Sequence, residues 1–487
     1  MAESMDRSVV ECPSANVPSL NHAWLVKLST MNSSERRSAS QEFIERLHKR
    51  GAGQGIDFSE TDLAGLILDG VDLRRANLTR VKLASSSFKS ADLREVQLIC
   101  PLLERVCFDG ADMREVYAHG LGMQIGSLVE ANLSGASDVT GALFHGVRAC
   151  RSRWTGANLA GTTFYQCDLR NANFESANLT GTVFNECTLD GCTFGGAHLD
   201  DATILKCSGS GISLANASGE GLSLQRLSHL EELDARGAIF RELRLRNSSL
   251  RGASFVGADL SDSNLIAVHL EDADFTGSDL TRSAWSHVSG TARFKRTMLA
   301  QSSFTHVTLR GATFDGAQAE NMRLVECDFA GASFALDENG SPFKARALTV
   351  RDSNLTGANF YGAYLYRAMF TGDPIGNMRL DRTDFRSANL TQAYLAASLR
   401  EAQLAHCRGA YARLNQADLT DANIAGGELF QASLVKTNLL RADLSGVVPP
   451  IWLDRCGGLS DAVVDDVLAS WIEQLKGLLK EERRGST

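Results

Sequence analysis

The cysteines are the first residues to weigh for chemistry. The chain has eleven, with no CxxC pair among them. Cys167, Cys187 and Cys207 stand twenty residues apart, and Cys192, Cys327 and Cys407 fall at equivalent places in a repeating pattern. A structural metal needs ligands that converge on it from several directions. Thiols stacked in a straight row cannot surround a tetrahedral ion, so the row reads as small apolar filler. The ten histidines are scattered. His198 and His269 take a place normally held by Asp or Asn, and His287 and His306 lie near each other in the repeat count. Gly51-Ala52-Gly53-Gln54-Gly55 is glycine-rich but precedes no helix, which a phosphate cradle requires, so it reads as a helix stop. There is no nucleophile elbow and no HExxH. No catalytic residue, cofactor site or metal site is expected.

The carboxylates are more informative. From Arg170 to Lys206 there is no intervening base, while Glu175, Glu186, Asp190, Asp200 and Asp201 are present. From Arg251 to Arg282 there is again none, while Asp259, Asp262, Glu271, Asp272, Asp274 and Asp279 are. Such runs could present acidic bands to a partner. Alternatively, an Asp just before an inward Leu bonds its own corner backbone. Elsewhere Asp72, Asp92 and Asp112 stand beside Arg74, Arg94 and Arg114, which makes a neutralised, solvated face.

What positions all of these is a period of five. Across Ala157–Leu199 every fifth residue is Leu or Phe, and two places before it sits a small residue. Five fits neither the helical period nor the strand period. A coil that turns one corner every five residues puts each Leu or Phe inside, and four corners close a square. Residues twenty apart then stack at about 4.8 Å. Leu and Phe alternate, so Phe164 lies over Phe184 and Phe174 over Phe194, which places Phe ladders on two opposite faces. Trp154 and Trp285 take inward places, either inside a widened coil or turned outward at a register fault.

The pattern A-[DN]-[LF]-x-x recurs in Ala76-Asn77-Leu78, Ala91-Asp92-Leu93, Ala258-Asp259-Leu260, Ala388-Asn389-Leu390 and Ala417-Asp418-Leu419. Extending from about Phe58 to Leu444, it resembles the pentapeptide-repeat family. That resemblance implies an all-β solenoid, a right-handed quadrilateral β-helix. Beside it stands the expectation of a non-enzymatic interaction rod, an adaptor, scaffold or effector, because the irregular stretches Gln225–Gly237 and Leu336–Lys344 are insertions of the kind that often mark a solenoid's binding surface. One branch of the family mimics duplex DNA on DNA gyrase and confers resistance, and some members dimerise through a C-terminal helix.

The chain divides into a disordered tail over 1–18, a helical cap over 19–55, the β-helix over 56–446 and a helical cap or dimer helix over 447–487. Within the β-helix, Gln225–Gly237 carries Leu227, Leu230 and Leu233 at helical spacing, which predicts a helical excursion or a seam over 225–238. Asp337-Glu338-Asn339-Gly340-Ser341-Pro342 predicts a protruding loop over 336–344. Ser460 is the expected N-cap of the last helix, whose stripe includes Val464, Leu468, Trp471 and Leu475 as candidate dimer contacts.

Composition narrows the partner. A net charge of −9 with well-mixed signs argues against direct nucleic-acid binding. The N-terminus has acids and no apolar segment, so no secretory signal is expected, and no apolar run is long enough to span a membrane. Free core thiols fit a reducing compartment, so a cytoplasmic protein is expected, or one delivered by a specialised secretion system. The partner is expected to be a protein, with DNA gyrase as the alternative.

Overall fold

A computed structural model describes residues 54–228, 230–373 and 375–474. The expected tail and nearly all of the N-terminal cap lie outside these residues, as does Leu475. The described residues form a parallel β-solenoid in two compact units, divided between Arg153 and Trp154. Each is described by itself.

In both units the corner makes the fold. After each inward residue the chain turns sharply, and the residue two places on adopts a left-handed conformation. Arg75 has φ of 60° there, and Gly156 has φ of 65°. A type II turn demands positive φ at this place. Non-glycine residues are held in it because their N–H groups are used: Arg75 donates to Arg94 O at 2.9 Å, one turn away. The small residue that follows donates back across the corner, as Ala76 does to Leu73 O at 3.0 Å.

In the first unit, strands Leu102–Glu104, Gly122–Gln124 and Leu143–His145 pair in parallel, with Leu103, Met123 and Phe144 stacked and buried. Asp72, Asp92 and Asp112 form a column. Each binds its own arginine, at 2.7, 2.6 and 2.7 Å, and Arg74 and Arg94 also approach the next aspartate at 3.5 and 3.6 Å. The face is neutralised as its spacing predicts.

In the second unit four faces can be followed along most of its length. The strand face carries Thr163–Tyr165, Val183–Asn185 and Thr203–Leu205, and continues to Met369–Thr371 and Tyr394–Ala396. Opposite it, Phe255, Phe275, Phe294, Phe314, Phe334, Phe360 and Phe385 form an unbroken ladder. Successive centroids are 5.0, 5.1, 4.6, 4.7, 4.7 and 5.1 Å apart. Phe164–Phe184 and Phe174–Phe194 stack at 5.0 and 5.1 Å on opposite faces. Each buried ring contributes about 1.5–3 kcal/mol. Trp154 and Trp285 lie inside, at 0% and 1% exposure, and do not turn outward. Trp285 stacks on Phe304 at 4.8 Å, and its Nε1–H donates to Ser283 Oγ at 3.1 Å.

The irregularities are changes of turn length. The described residues of 225–237 contain no helix. Leu227, Leu230 and Leu233 are all buried, while Ser208 pairs with Ser228 and Ser213 with Asp234, so one turn is a residue longer. That corrects both the expected excursion and the expected seam. One turn is a residue shorter where Asp274 pairs with Arg293. Gly290 closes it at φ of 125°, and a Cβ there would lie 2.8 Å from Glu271 N. The inserted residues 336–344 are folded down. Asp337 is buried and accepts the N–H groups of Asn339 and Ser341, and Glu338 pairs with Arg296 at 3.2 Å.

The last helix spans 466–474 among the described residues. Its N-cap is Asp465, not Ser460, which falls in the 3-10 turn Leu459–Asp461. Asp465 accepts N–H groups from Leu468 and Gly446, at 2.9 and 2.8 Å, and so fastens the helix start to the coil. Leu468 is fully buried, Ile472 nearly so, and Trp471 Nε1–H donates to Ile451 O at 3.1 Å. Val464 is half-buried.

Candidate interaction surface

The fourth face of the second unit returns the chain from the Phe ladder to the strand face. It carries one column: Ser218, Ile239, Asp259, Asp279, Met298, Gln318, Lys344, Tyr364, Asn389, Arg408 and Glu428. The edge between it and the strand face, here the return edge, changes character along that column.

Its first part is acidic. Asp259, Asp262 and Asp279 come together with Glu220 and Glu242 around a depression of about 420 Å³. Asp259 accepts the N–H of Ser261 at 3.1 Å and Arg241 Nε–H at 2.7 Å. Its burial raises the carboxyl pKa, but these hydrogen bonds outweigh that and hold it below the usual range. Asp262 accepts both Nε–H and Nη2–H of Arg282, at 2.7 and 2.6 Å, and that pairing lowers its pKa. Asp279 accepts the N–H of Thr281 at 2.8 Å.

The other three candidates lie elsewhere. Glu271, Asp272 and Asp274 sit between Leu270 and Phe275, on the side of the coil that leads to the Phe ladder. Asp274 accepts the N–H of Thr276 at 2.9 Å and Arg293 Nε–H at 3.2 Å. Glu271 lies 3.3 Å from His269 Nε2, and the Asp272 N–H donates to Thr291 Oγ1 at 3.2 Å. The six carboxylates therefore lie on two sides of the coil, three at the return edge and three on the way to the Phe ladder. Arg241, Arg282 and Arg293 all reach in from neighbouring turns, because one turn takes about twenty residues and the base-free run, residues 252–281, spans only about one and a half turns.

The later part of the same edge is aromatic and basic. Arg367, Met369, Gln392, Tyr394, Tyr411 and Arg413 line a depression of about 740 Å³. Met369 is 45% exposed, Tyr411 49% and neighbouring Phe430 47%. Arg346 and Arg367 lie over the Tyr366 ring, at 5.9 and 5.1 Å from its centre. Gln392 Oε1 accepts from both the Tyr366 hydroxyl and Arg367 Nε–H, at 3.1 and 2.7 Å. Arg346, Arg367 and Arg413 have no carboxylate partner among the described residues. The sequence reading passed over this surface, although five of the seven tyrosines fall between Tyr361 and Tyr411.

Cys167, Cys187, Cys192, Cys207, Cys327 and Cys407 take the inward places and are buried, while Cys100 is exposed. Cys187 N–H lies 3.4 Å from Cys207 Sγ. Burial pushes the Cys327 thiol up to about 11 and the Cys407 thiol up to about 12, so both are neutral filler at ordinary pH. His287 and His306 stack at 5.0 Å, and His306 lies 3.2 Å from Glu326. No group of three or more His, Cys, Asp or Glu that could hold a metal occurs among the described residues. No helix among them is long and apolar enough to cross a membrane.

Two family models described as pentapeptide repeats match the chain. One, of eight copies, matches 56–94, 138–175, 228–265, 244–282, 292–331, 350–372 and 397–434. The other, of nine copies, matches 159–206. No curated protein sequence matches. Among solved structures, HetL from Nostoc sp. PCC 7120, a pentapeptide repeat protein involved in heterocyst differentiation regulation, is 22% identical. That match covers 67% of this chain and 94% of HetL, with a TM-score of 0.12. QnrB1, a plasmid-mediated fluoroquinolone resistance protein, is 18% identical over 53% of this chain and 99% of its own, with a TM-score of 0.17. Rfr23 from Cyanothece 51142 is 20% identical over 31% and 91%, with a TM-score of 0.10.

Proposed function

The chain belongs to the pentapeptide-repeat family, and from that premise we propose that it is a non-enzymatic interaction protein that holds a protein partner on its return edge. One observation carries this reading: exposed Met369, Tyr411 and Phe430 cluster with half-buried Tyr394 and with arginines that lack carboxylate partners among the described residues. Aromatic residues, Met and Arg are the types enriched where proteins meet, and Tyr and Arg dominate binding hot spots. The insertions at 225–237 and 336–344 lend less support, since the first is ordinary coil and the second is tied down. Capture of partner by the immobilised full chain tests the proposal. Replacing Tyr394 and Tyr411 together by Ala should abolish capture, and unchanged capture would remove this surface from the reading.

A second reading is a DNA-mimicking, gyrase-binding protein that confers resistance. The stacked Asp259 and Asp279, with Glu220 and Glu242 beside them, favour it. Arg241 and Arg282 in the same depression count against it. Inhibition of gyrase supercoiling by the purified chain would support it, and no inhibition together with no drug protection would end it.

A further inference from the structure

We propose that the partner on the return edge is a second copy of this chain, paired antiparallel so that the Arg–Tyr depression of each copy receives the acidic depression of the other. This rests on the interaction reading above and names its partner. The two depressions lie on one edge, because one backbone column runs from Asp259 through Tyr364 to Arg408. Their centres are about six turns apart, roughly 30 Å. A two-fold axis midway between them brings both pairs into register at once, as an isologous interface requires.

The charges match. The acidic lining holds Glu220, Glu242, Asp259, Asp262 and Asp279 against Arg241 and Arg282, an excess of three negative charges. The Arg–Tyr lining supplies two positive charges, Arg367 and Arg413, with no carboxylate on them among the described residues, and Arg346 adds a third one turn nearer the axis. Glu220 and Glu242 are exposed and make no ion pair among the described residues, so both are available to a facing guanidinium. The point midway along the edge lies near Glu320 and Arg323, both exposed and of opposite sign, so an axis passing between them sets Glu320 of each copy against Arg323 of the other. Edge contact over about ten turns is roughly 50 Å long. A standard interface of ~800 Å² per copy needs a strip about 16 Å wide over that length.

Sedimentation of the full chain at low and high salt, with two charge-reversed variants, tests this. One variant is Arg367→Glu with Arg413→Glu, and the other is Glu220→Lys with Glu242→Lys. The expected result is a dimer in low salt that weakens in high salt. Each variant alone should dissociate at least tenfold more readily, with unchanged melting temperature. An equimolar mixture of the two should recover dimer mass, because opposite reversals again face one another. A wild-type monomer at low salt, dimers that persist in both variants, or a mixture that stays monomeric would each overturn the pairing. A monomer that still captures another protein, and loses it on Tyr394→Ala with Tyr411→Ala, would remove self-pairing and leave the interaction reading standing.

Discussion

The two stretches of the return edge share a scaffold and differ in how their polar groups are used. Around Asp259 and Asp262 the carboxylates are occupied: they accept corner N–H groups and neighbouring arginines. Around Arg367 and Arg413 the guanidinium groups meet no carboxylate among the described residues: Arg367 lies over Tyr366 and donates to Gln392 Oε1, and Arg413 is exposed. The first arrangement stabilises the coil, while the second leaves binding capacity unused by the fold. On a solenoid, function is therefore better sought where side chains lack intramolecular partners than where one charge sign merely accumulates.

The largest expected effect tests whether the scaffold is the same beneath both stretches. Phe275→Ala, under the acidic stretch, and Phe360→Ala, under the Arg–Tyr stretch, should each cost about 3–5 kcal/mol. Chemical denaturation checks this, and a large inequality would mean the two regions differ in the core as well as on the surface. Gly290→Ala should follow, at about 1–3 kcal/mol, because it combines positive φ with a clash against the backbone at Leu270 and Glu271. Gly257→Ala, also at positive φ but with open space around its Cβ, should cost distinctly less.

A sharper contrast comes from single surface changes. Asp259→Ala should cost about 1 kcal/mol of stability by freeing the Ser261 N–H and Arg241. Tyr411→Ala should leave the unfolding midpoint nearly unchanged and weaken association by about 2 kcal/mol. If Tyr411→Ala destabilises the chain as much as Asp259→Ala does, the distinction between occupied and unused groups fails. The smallest effect is in pH. Arg282 holds Asp262 below the usual carboxylate range, so that contribution is fully present above about pH 4. It is lost as pH falls through the lower folded value. Asp262→Asn should flatten the acid limb of the melting-temperature profile, and an unchanged limb would count against the pairing.

Much of the fold was legible because the five-residue register acts on every turn. It placed Phe164 over Phe184 and read the Asp72–Arg74 columns correctly. It failed where a turn changes length, since Leu227, Leu230 and Leu233 take helical spacing when one residue is added to a coil. It also missed the cap at Asp465, whose second bond, to Gly446, comes from a coil nineteen residues away. The acidic run misled for a related reason: neighbours in space are about twenty residues apart, so a stretch without bases says little about the bases beside it. The tyrosines between Tyr361 and Tyr411 were visible as a concentration, but only the column that joins Tyr364 to Asn389 and Arg408 shows that they share an edge with the arginines.

Hydroxyl-radical footprinting of the full chain, compared between dilute solution and the associated state, tests the central claim most directly. Met369, Tyr394, Tyr411 and Phe430 should lose reactivity on association, while exposed Tyr117 and Ile125 in the first unit keep theirs. Unaltered reactivity at those four side chains, with protection elsewhere, would contradict the assignment of the return edge as the contact surface.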